Sequence, residues 1–380
     1  MASIKILGAG LSGLTAAINL AKAGYKIDVY EKNKDSGMRF NGDLQGLENW
    51  SMEKDILQDL TSMNIKINFS ANPYHVLHVR DSKLKDKVIK SKRPMFYIVQ
   101  RGALKGSIDY GLKKQALDSG VKIHYGKTLS EKDIKNDKSN IYIIASGPKD
   151  VFAVAVGISF RTNNKDIAIG ILDDSIAPKA YGYILVSKGK GCIATVLAKD
   201  FVNANNYFKK LMQAEKKIIN VKKTNIKKIS GFGNFHIMDN YFKDDKYWVG
   251  EAAGMQDKLW GFGMRYAITS GYLAAKSIIE SRDVKGNKIK EIEGNNIGEI
   301  EKVKGYLYDK LIKERFVNQL KTSAVNRFFY EKLGNGGYRF FVDKAKNNPF
   351  KFLNKAYNSN FLRKVLFHFG VGRSFSIGKR

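Results

Sequence analysis

Gly8, Gly10 and Gly13 form a G-x-G-x-x-G arrangement directly after the short apolar run that starts at Ile4, and Glu31 closes the later run KIDVY. The first glycine of such a set permits a tight turn from strand into helix. The second lets a phosphate approach the backbone, and the third lets helix and strand pack closely. Unpaired N–H groups at the helix start favour negative charge. A carboxylate about 20 residues further on, at the end of the next strand, can accept hydrogen bonds from a ribose. These residues predict a dinucleotide site, with Leu11 and Ser12 in the turn and Lys32 beside the acid.

A second block, Tyr247 to Ser281, also carries chemistry. An apolar strand runs into Gly250 and Glu251, where a carboxylate can bind a polyol. The glycine-spaced loop through Gly261, Phe262 and Gly263 then opens a helix at Met264, whose exposed N-terminus can stabilise negative charge on a reduced ring. The small residues Ala267, Ser270, Gly271, Ala274 and Ala275 permit that helix to pack closely against the first. Ala145, Ser146 and Gly147 end a further buried run, Ile141 to Ala145; they read equally as another approach to the dinucleotide or as a structural turn.

Other segments must position these residues. Leu14, Ile18 and Leu20 predict a helix closed at Gly24. The stretch from Lys32 to Trp50 reads as a long packed loop that covers the nucleotide, with Arg39 near its phosphates or ring. A helix is expected over Met52 to Met63 and strands over Ile65 to Phe69 and Phe96 to Gln100. Ala103, Leu104, Ile108, Leu112 and Ala116 share one helical face before a strand at Val121 to Tyr125. Val76 to Val88 alternates like a sheet edge. Strands near 152–160, 168–172, 181–187 and 192–197 predict an inserted sheet, and Lys209 to Lys228 reads as a lysine-rich amphipathic helix.

The chain has 380 residues, 43% of them hydrophobic, enough for two domains or one with a large insertion. Its longest apolar run is too short to span a bilayer, and no signal-peptide cleavage pattern follows the glycines, so a cytoplasmic, soluble or peripheral protein is expected. A single cysteine, Cys192, excludes an intrachain disulfide and a cysteine-rich metal site, and the five histidines form no ligand motif, so no metal is expected. With 66 Lys+Arg against 36 Asp+Glu the formal charge is +30, a field that attracts an anionic membrane, an acidic protein or nucleic acid.

The fingerprint Gly8, Gly10, Gly13 and Glu31, the Gln100-Arg101 segment leading to Asp109, Ala145-Ser146-Gly147, and the block from Gly250-Glu251 to Trp260-Gly261-Phe262-Gly263 together resemble the geranylgeranyl reductase family. That family belongs to the flavoproteins with the p-hydroxybenzoate hydroxylase fold. The resemblance runs from Met1 to Ser281 and implies FAD as cofactor, with Glu31 on the adenosine ribose, Arg101 near the FAD, Glu251 on the ribitol where the family usually has Asp, and the Gly261 to Gly263 amides under the pyrimidine edge of the flavin. The family's Cys-Gly pair near the flavin is Asn41-Gly42 here, and its aromatic run ending in Phe-Pro is echoed by Tyr181 to Val186.

The implied fold class is α/β: a Rossmann-type, glutathione reductase-like FAD-binding domain from 1–70, 97–150 and 230–284, an inserted, mainly antiparallel β-sheet substrate domain from 71–96 and 151–229, and a C-terminal helical, basic-aromatic region over 285–380. The implied activity is reduction of carbon–carbon double bonds of an isoprenoid or lipid by hydride transfer from reduced flavin N5. A monooxygenase of the same fold is the alternative, and a non-catalytic binding module using the basic tail is a third reading. Asn41 and Tyr183 are the candidates for catalytic contact. No second G-x-G-x-x-G follows a strand, so electrons are expected from NAD(P)H bound transiently or from an acidic donor such as reduced ferredoxin. In the tail, Phe340, Phe341, Phe350, Phe352, Phe361, Phe367 and Phe369 interleave with Lys344, Lys351, Lys355, Arg363 and Lys364. This pattern suits either an interfacial anchor on an anionic bilayer or a helical cap on the flavoprotein body. Nucleic acid is the disfavoured partner, because a chain freed from flavin chemistry has no need of both motifs.

Overall fold

The structure, a computed structural model, describes residues 3–137, 140–287, 297–358 and 361–371. Its first sheet has six strands in the order Phe242–Lys243, Lys246–Trp248, Ile141–Ile144, Ile4–Leu7, Ile27–Glu31 and Lys122–Tyr125. Except for the antiparallel hairpin at its edge the strands are parallel, with Ile4 opposite both Ile27 and Ile141. A parallel sheet is covered on both faces; here Ile141–Ile144 is apolar throughout, whereas Ile4–Leu7 and Ile27–Glu31 alternate buried and half-buried residues. Helices Leu11–Lys22 and Met264–Asn287 cross one another at this core. A Cβ on Gly271 would lie 2.1 Å from the carbonyl oxygen of Ser12, so only glycine permits that crossing.

Four elements differ from expectation. The stretch read as a loop after Glu31 contains the strand Asn41–Glu48, which joins Phe96–Gly102 and Ala71–Tyr74 in a three-stranded antiparallel sheet. Ile65 to Phe69 is irregular: the Gln115 side chain accepts from the Lys66 N–H at 2.8 Å and donates to its carbonyl at 2.9 Å, replacing a neighbouring strand. The helix expected from Ala103 starts at Ile108, because Gly102 and Gly106 both adopt positive φ and Ser107 then accepts from the Tyr110 N–H. The helix expected from Met52 is shorter too, running over Ile56–Ser62 behind its cap Asp55.

The third sheet has seven strands in the order Thr224–Gly233, Ala153–Arg161, Lys190–Leu197, Tyr181–Ser187, Ile167–Leu172, Val76–Asp81 and Asp86–Lys90. All neighbours are antiparallel except Ile167–Leu172 with Val76–Asp81. The amphipathic stretch expected over 209–228 is divided here. Ala204–Ile218 is a helix that presses Leu211 onto Ile158, Ile184 and Ile193, whereas Thr224–Gly233 is an edge strand paired along its length with Ala153–Arg161. Its lysines face water, which a helical reading and an edge strand explain equally well.

The C-terminal region is helical: Ile297–Ile312, a wide turn at Lys313–Val317, Asn318–Asn347, Pro349–Tyr357 and Phe361–Leu366. The long member kinks at Gly334, whose φ is +53°. Tyr330, Tyr338, Val342, Ala345 and Tyr357 are buried in one cluster with Leu44, Trp50 and Leu259. These helices are therefore part of the core. No helix of the described residues is long and apolar enough to cross a membrane.

Candidate functional site

One cavity of about 760 Å³ runs through the molecule between the three sheets and the C-terminal helices. At one end stand the glycines. Gly8 has φ +113°, and a Cβ there would lie 2.2 Å from the carbonyl oxygen of Ala145, which is what brings Ala145, Ser146 and Gly147 to the same rim. Beside Gly10 and Gly147 no atom lies within 4 Å of where a side chain would begin, so both leave an open cradle on the lining. The helix from Leu11 has no side-chain cap, leaving its first N–H groups for a ligand. Leu11, Ser12, Glu31 and Lys32 line the same end. Glu31 braces the turn, accepting from the Ala9 N–H at 2.9 Å with one oxygen and from Asn33 with the other. An open, positively polarised cradle with a carboxylate beside it fits a dinucleotide.

Not every residue expected at the cofactor reaches the cavity. Gly13 lies behind it, where a Cβ would meet the Gly8 carbonyl oxygen at 2.1 Å, and Gly250 lies behind it too, 2.5 Å from the Ser12 hydroxyl by the same measure. Both are packing positions, Gly13 against backbone and Gly250 against a side chain. Arg101 lines the cavity, but its guanidinium forks onto Asp109 at 2.9 and 3.0 Å and stacks over the Phe40 ring at 4.0 Å. It builds the wall with its charge already compensated.

In the middle, Arg39 forms an ion pair with Glu251 and donates to the Phe232 carbonyl, joining the first sheet's motifs to the edge strand of the third. Gly261, Phe262, Gly263 and Met264 line the opposite wall. Their turn has a built foundation: the Asp257 carboxylate accepts from the Trp260 N–H at 2.6 Å and from the Tyr357 hydroxyl at 3.0 Å, and the Gln256 amide donates to the Gly261 carbonyl. Burial pushes the Asp257 carboxyl up to about 6 and pulls the neighbouring Lys258 ammonium down to about 7. The Lys258 amine donates to the carbonyls of His236 and Gly254. Phe262 fits against Gly46, where a Cβ would lie 2.8 Å from its ring.

Asn41 does not line the cavity; its side-chain amide donates to the Lys228 carbonyl at 3.3 Å. A register shift between Asn41 and Leu44 turns Asp43 inward instead. Asp43 is buried, accepts from the Asn41 N–H at 2.8 Å, and burial raises its carboxyl above the ordinary range. Tyr183 does line the cavity, 3.9 Å from the Cys192 sulfur, and burial holds its phenol in the protonated form.

The far end is apolar. Leu77, Val79 and Ile89 come from the hairpin Val76–Asp81 and Asp86–Lys90, Leu172 and Leu185 from other strands of the same seven-stranded sheet, and Phe341, Val342, Ala345, Phe352 and Leu353 from the C-terminal helices. Sequence reasoning missed this wall. The signal was the spacing Tyr330, Tyr338, Val342, Ala345, which returns to one helical face. Among the tail aromatics, the rings of Phe341 and Phe352 meet edge-on at 5.6 Å, Phe350 and Phe367 pack on the core clusters, and Phe340 faces solvent. The side chains of Phe361 and Phe369 lie outside the described residues.

Residues 6–43 match the NAD(P)-binding Rossmann-like domain family. No curated protein matches the sequence. Among solved structures the chain is similar to a geranylgeranyl bacteriochlorophyll reductase-like protein from Thermoplasma acidophilum, with 18% identity over 96% of this chain and 98% of that one and a TM-score of 0.72. It is also similar to a flavin-dependent brominase, at 16% identity over 97% and 98% of the two chains with a TM-score of 0.62. The p-nitrophenol 4-monooxygenase of Pseudomonas putida gives 12% identity over 94% and 96% and a TM-score of 0.60. The chain thus has the α/β fold shared by these proteins: a Rossmann-type dinucleotide domain, mixed and antiparallel sheets, and C-terminal helices.

Proposed function

We propose that this protein is an FAD-dependent oxidoreductase that saturates carbon–carbon double bonds of an isoprenoid or other lipid. The observation that carries this reading is the continuity of the cavity: an open glycine cradle at one end and a long apolar chamber at the other, with the Gly261 turn between them. Gly8, Gly10, Glu31, Ala145 and Gly147 would hold the adenosine and pyrophosphate, and Glu251 with Arg39 the ribityl chain. The Gly261 to Met264 amides would face the flavin's pyrimidine edge. Bound FAD supplies hydride transfer at a carbon centre. The chain's own task is to orient the alkene, exclude water and keep a protonated group at hand. Tyr183 holds its proton at the cavity wall, and burial raises the Asp43 carboxyl on the same lining.

The likeness to a monooxygenase favours a second reading, hydroxylation with oxygen on the same scaffold. One experiment separates them: the purified flavoprotein is photoreduced without oxygen, and the return of oxidised-flavin absorbance is followed after adding a geranylgeranyl lipid or air-saturated buffer. Rapid return with lipid and slow return with oxygen supports the reductase. No response to lipid, with oxygen consumption accelerated by another ligand, overturns it.

Electrons would come from transiently bound NAD(P)H or from an acidic protein such as reduced ferredoxin, which a formal charge of +30 would steer. A flavin-reduction rate by ferredoxin that ignores salt would exclude steering. Exposed Phe328, Phe329, Leu333 and Phe340, interleaved with Lys332 and Lys344, would let the long C-terminal helix rest on an anionic membrane near the lipid end.

A further inference from the structure

Among the cations of the cavity wall, one keeps a buried N–H without an acceptor. Arg39 is held by Glu251 and Arg101 by Asp109, and Lys32 is exposed to solvent at the nucleotide end. Arg327, from the long C-terminal helix, lines the cavity and is only 2% exposed. Its Nε donates to Glu331 at 2.7 Å and its Nη1 to the Leu259 carbonyl at 3.2 Å, but its buried Nη2 has no partner among the described residues. Aromatic rings surround it, with Phe235 at 5.8 Å and Tyr330 at 5.9 Å. Its counter-ion Glu331 is 27% exposed and so neutralises it from the wet side. A guanidinium N–H buried without an acceptor is costly, and such groups persist where a ligand completes them. The planar fork of arginine matches the oxygens of a carboxylate or phosphoryl group.

We propose that Arg327 recognises the anionic head, carboxylate or phosphoryl, of an amphiphilic ligand whose hydrocarbon chain fills the apolar end between the hairpin and the C-terminal helices. The inference rests on reading that end as a lipid chamber, and it adds the head group. Position supports it: Arg327 bonds to Leu259, beside the turn that bounds the middle of the cavity, and the same helix continues past its kink to Phe341, Val342 and Ala345 on the apolar wall. A single ligand can therefore meet the charge and the chamber through one element.

The test is equilibrium binding to the full chain, read by quenching of tryptophan fluorescence, since Trp50 and Trp260 line the cavity. The probes are geranylgeraniol, geranylgeranoic acid and geranylgeranyl phosphate, which share a chain and differ in head. In the unaltered protein at least one anionic probe is expected to bind about tenfold or more tightly than the alcohol. Preference for the phosphate alone identifies a phosphoryl head, and equal preference for the acid shows that a carboxylate suffices. Arg327→Gln should bring the anionic probes to the affinity of the alcohol, and Glu331→Gln, which removes the counter-ion and keeps the arginine, should widen the gap. Equal binding of all three probes by the unaltered protein overturns the proposal without any variant having to fold, as does a preference that survives Arg327→Gln. Anion preference with no lipid-driven flavin reoxidation would sink the reductase reading and leave this inference standing.

Discussion

Arg39 and Glu251, which lie 212 positions apart in the chain, close on one another as an ion pair across the middle of the cavity. Neither residue is fully buried, so the pair itself stabilises modestly, and its importance is positional. A double-mutant cycle of Arg39→Met and Glu251→Gln should give a coupling of roughly 0.5–1 kcal/mol in thermal unfolding. Each single variant should retain less FAD through gel filtration than the unaltered protein. Full flavin retention by both would remove the pair from the cofactor site.

Gly271 sets the distance between the two helices that flank the glycine cradle. With the Ser12 carbonyl oxygen 2.1 Å from any Cβ there, Gly271→Val must push the backbones apart, at a cost of about 1–3 kcal/mol or more. Differential scanning calorimetry should show a lowered melting temperature, and the purified variant should be colourless. A yellow variant of unchanged stability would mean that the helices have room to spare.

Ala345 lies on the apolar wall, on the same segment as Phe341 and Val342. Ala345→Trp should fill that end of the chamber, weakening a C20 isoprenoid by about tenfold or more while a C10 analogue and the flavin spectrum are unaffected, as loss of buried apolar contact demands. Equal losses for both chain lengths would place the hydrocarbon elsewhere.

Burial, with a smaller contribution from the nearby Lys258 ammonium, pulls the His236 imidazole down from 6.5 to about 4. The folded protein thus prefers neutral His236, and its contribution to stability is complete above pH 6.5. It is lost as the pH falls from 6.5 through 4, because the unfolded chain takes up the proton first. His236→Gln, which cannot titrate, should flatten the fall in melting temperature over that interval. An unchanged slope would show that other groups govern acid sensitivity.

Much of the cradle was legible because its glycines are tied to covalent geometry: a positive φ at Gly8 and open space at Gly10 follow from spacing within one strand-turn-helix unit. Gly13 and Gly250 carry the same letters but serve packing, a distinction that depends on the Gly8 carbonyl and the Ser12 side chain facing them and not on local sequence. Asn41 and Asp43 exchanged places for a similar reason. The register shift in their strand breaks the alternation from which an inward side chain would be read. Arg101, expected near the FAD, does line the cavity, but Asp109 in the first turn of the following helix closes its fork, a pairing that the sequence does not display. The apolar wall was hidden because its residues come from segments far apart in the chain, and those of the tail are mixed with lysines.

Asp257, which supports the Gly261 turn from below, receives one of its two donors from Tyr357. The Lys258 N–H likewise bonds to the Ser323 hydroxyl. The glycine cradle is made of residues from the first half of the chain, up to Gly147, but these supports belong to its last stretch. During synthesis the dinucleotide end can form while most of the polypeptide is still being made, whereas the turn facing it cannot gain its foundation until the ribosome has released residues near the C-terminus. Any ligand gripped from both sides must therefore wait until Tyr357 has been made, and a chain stalled before that residue would present an open half-site.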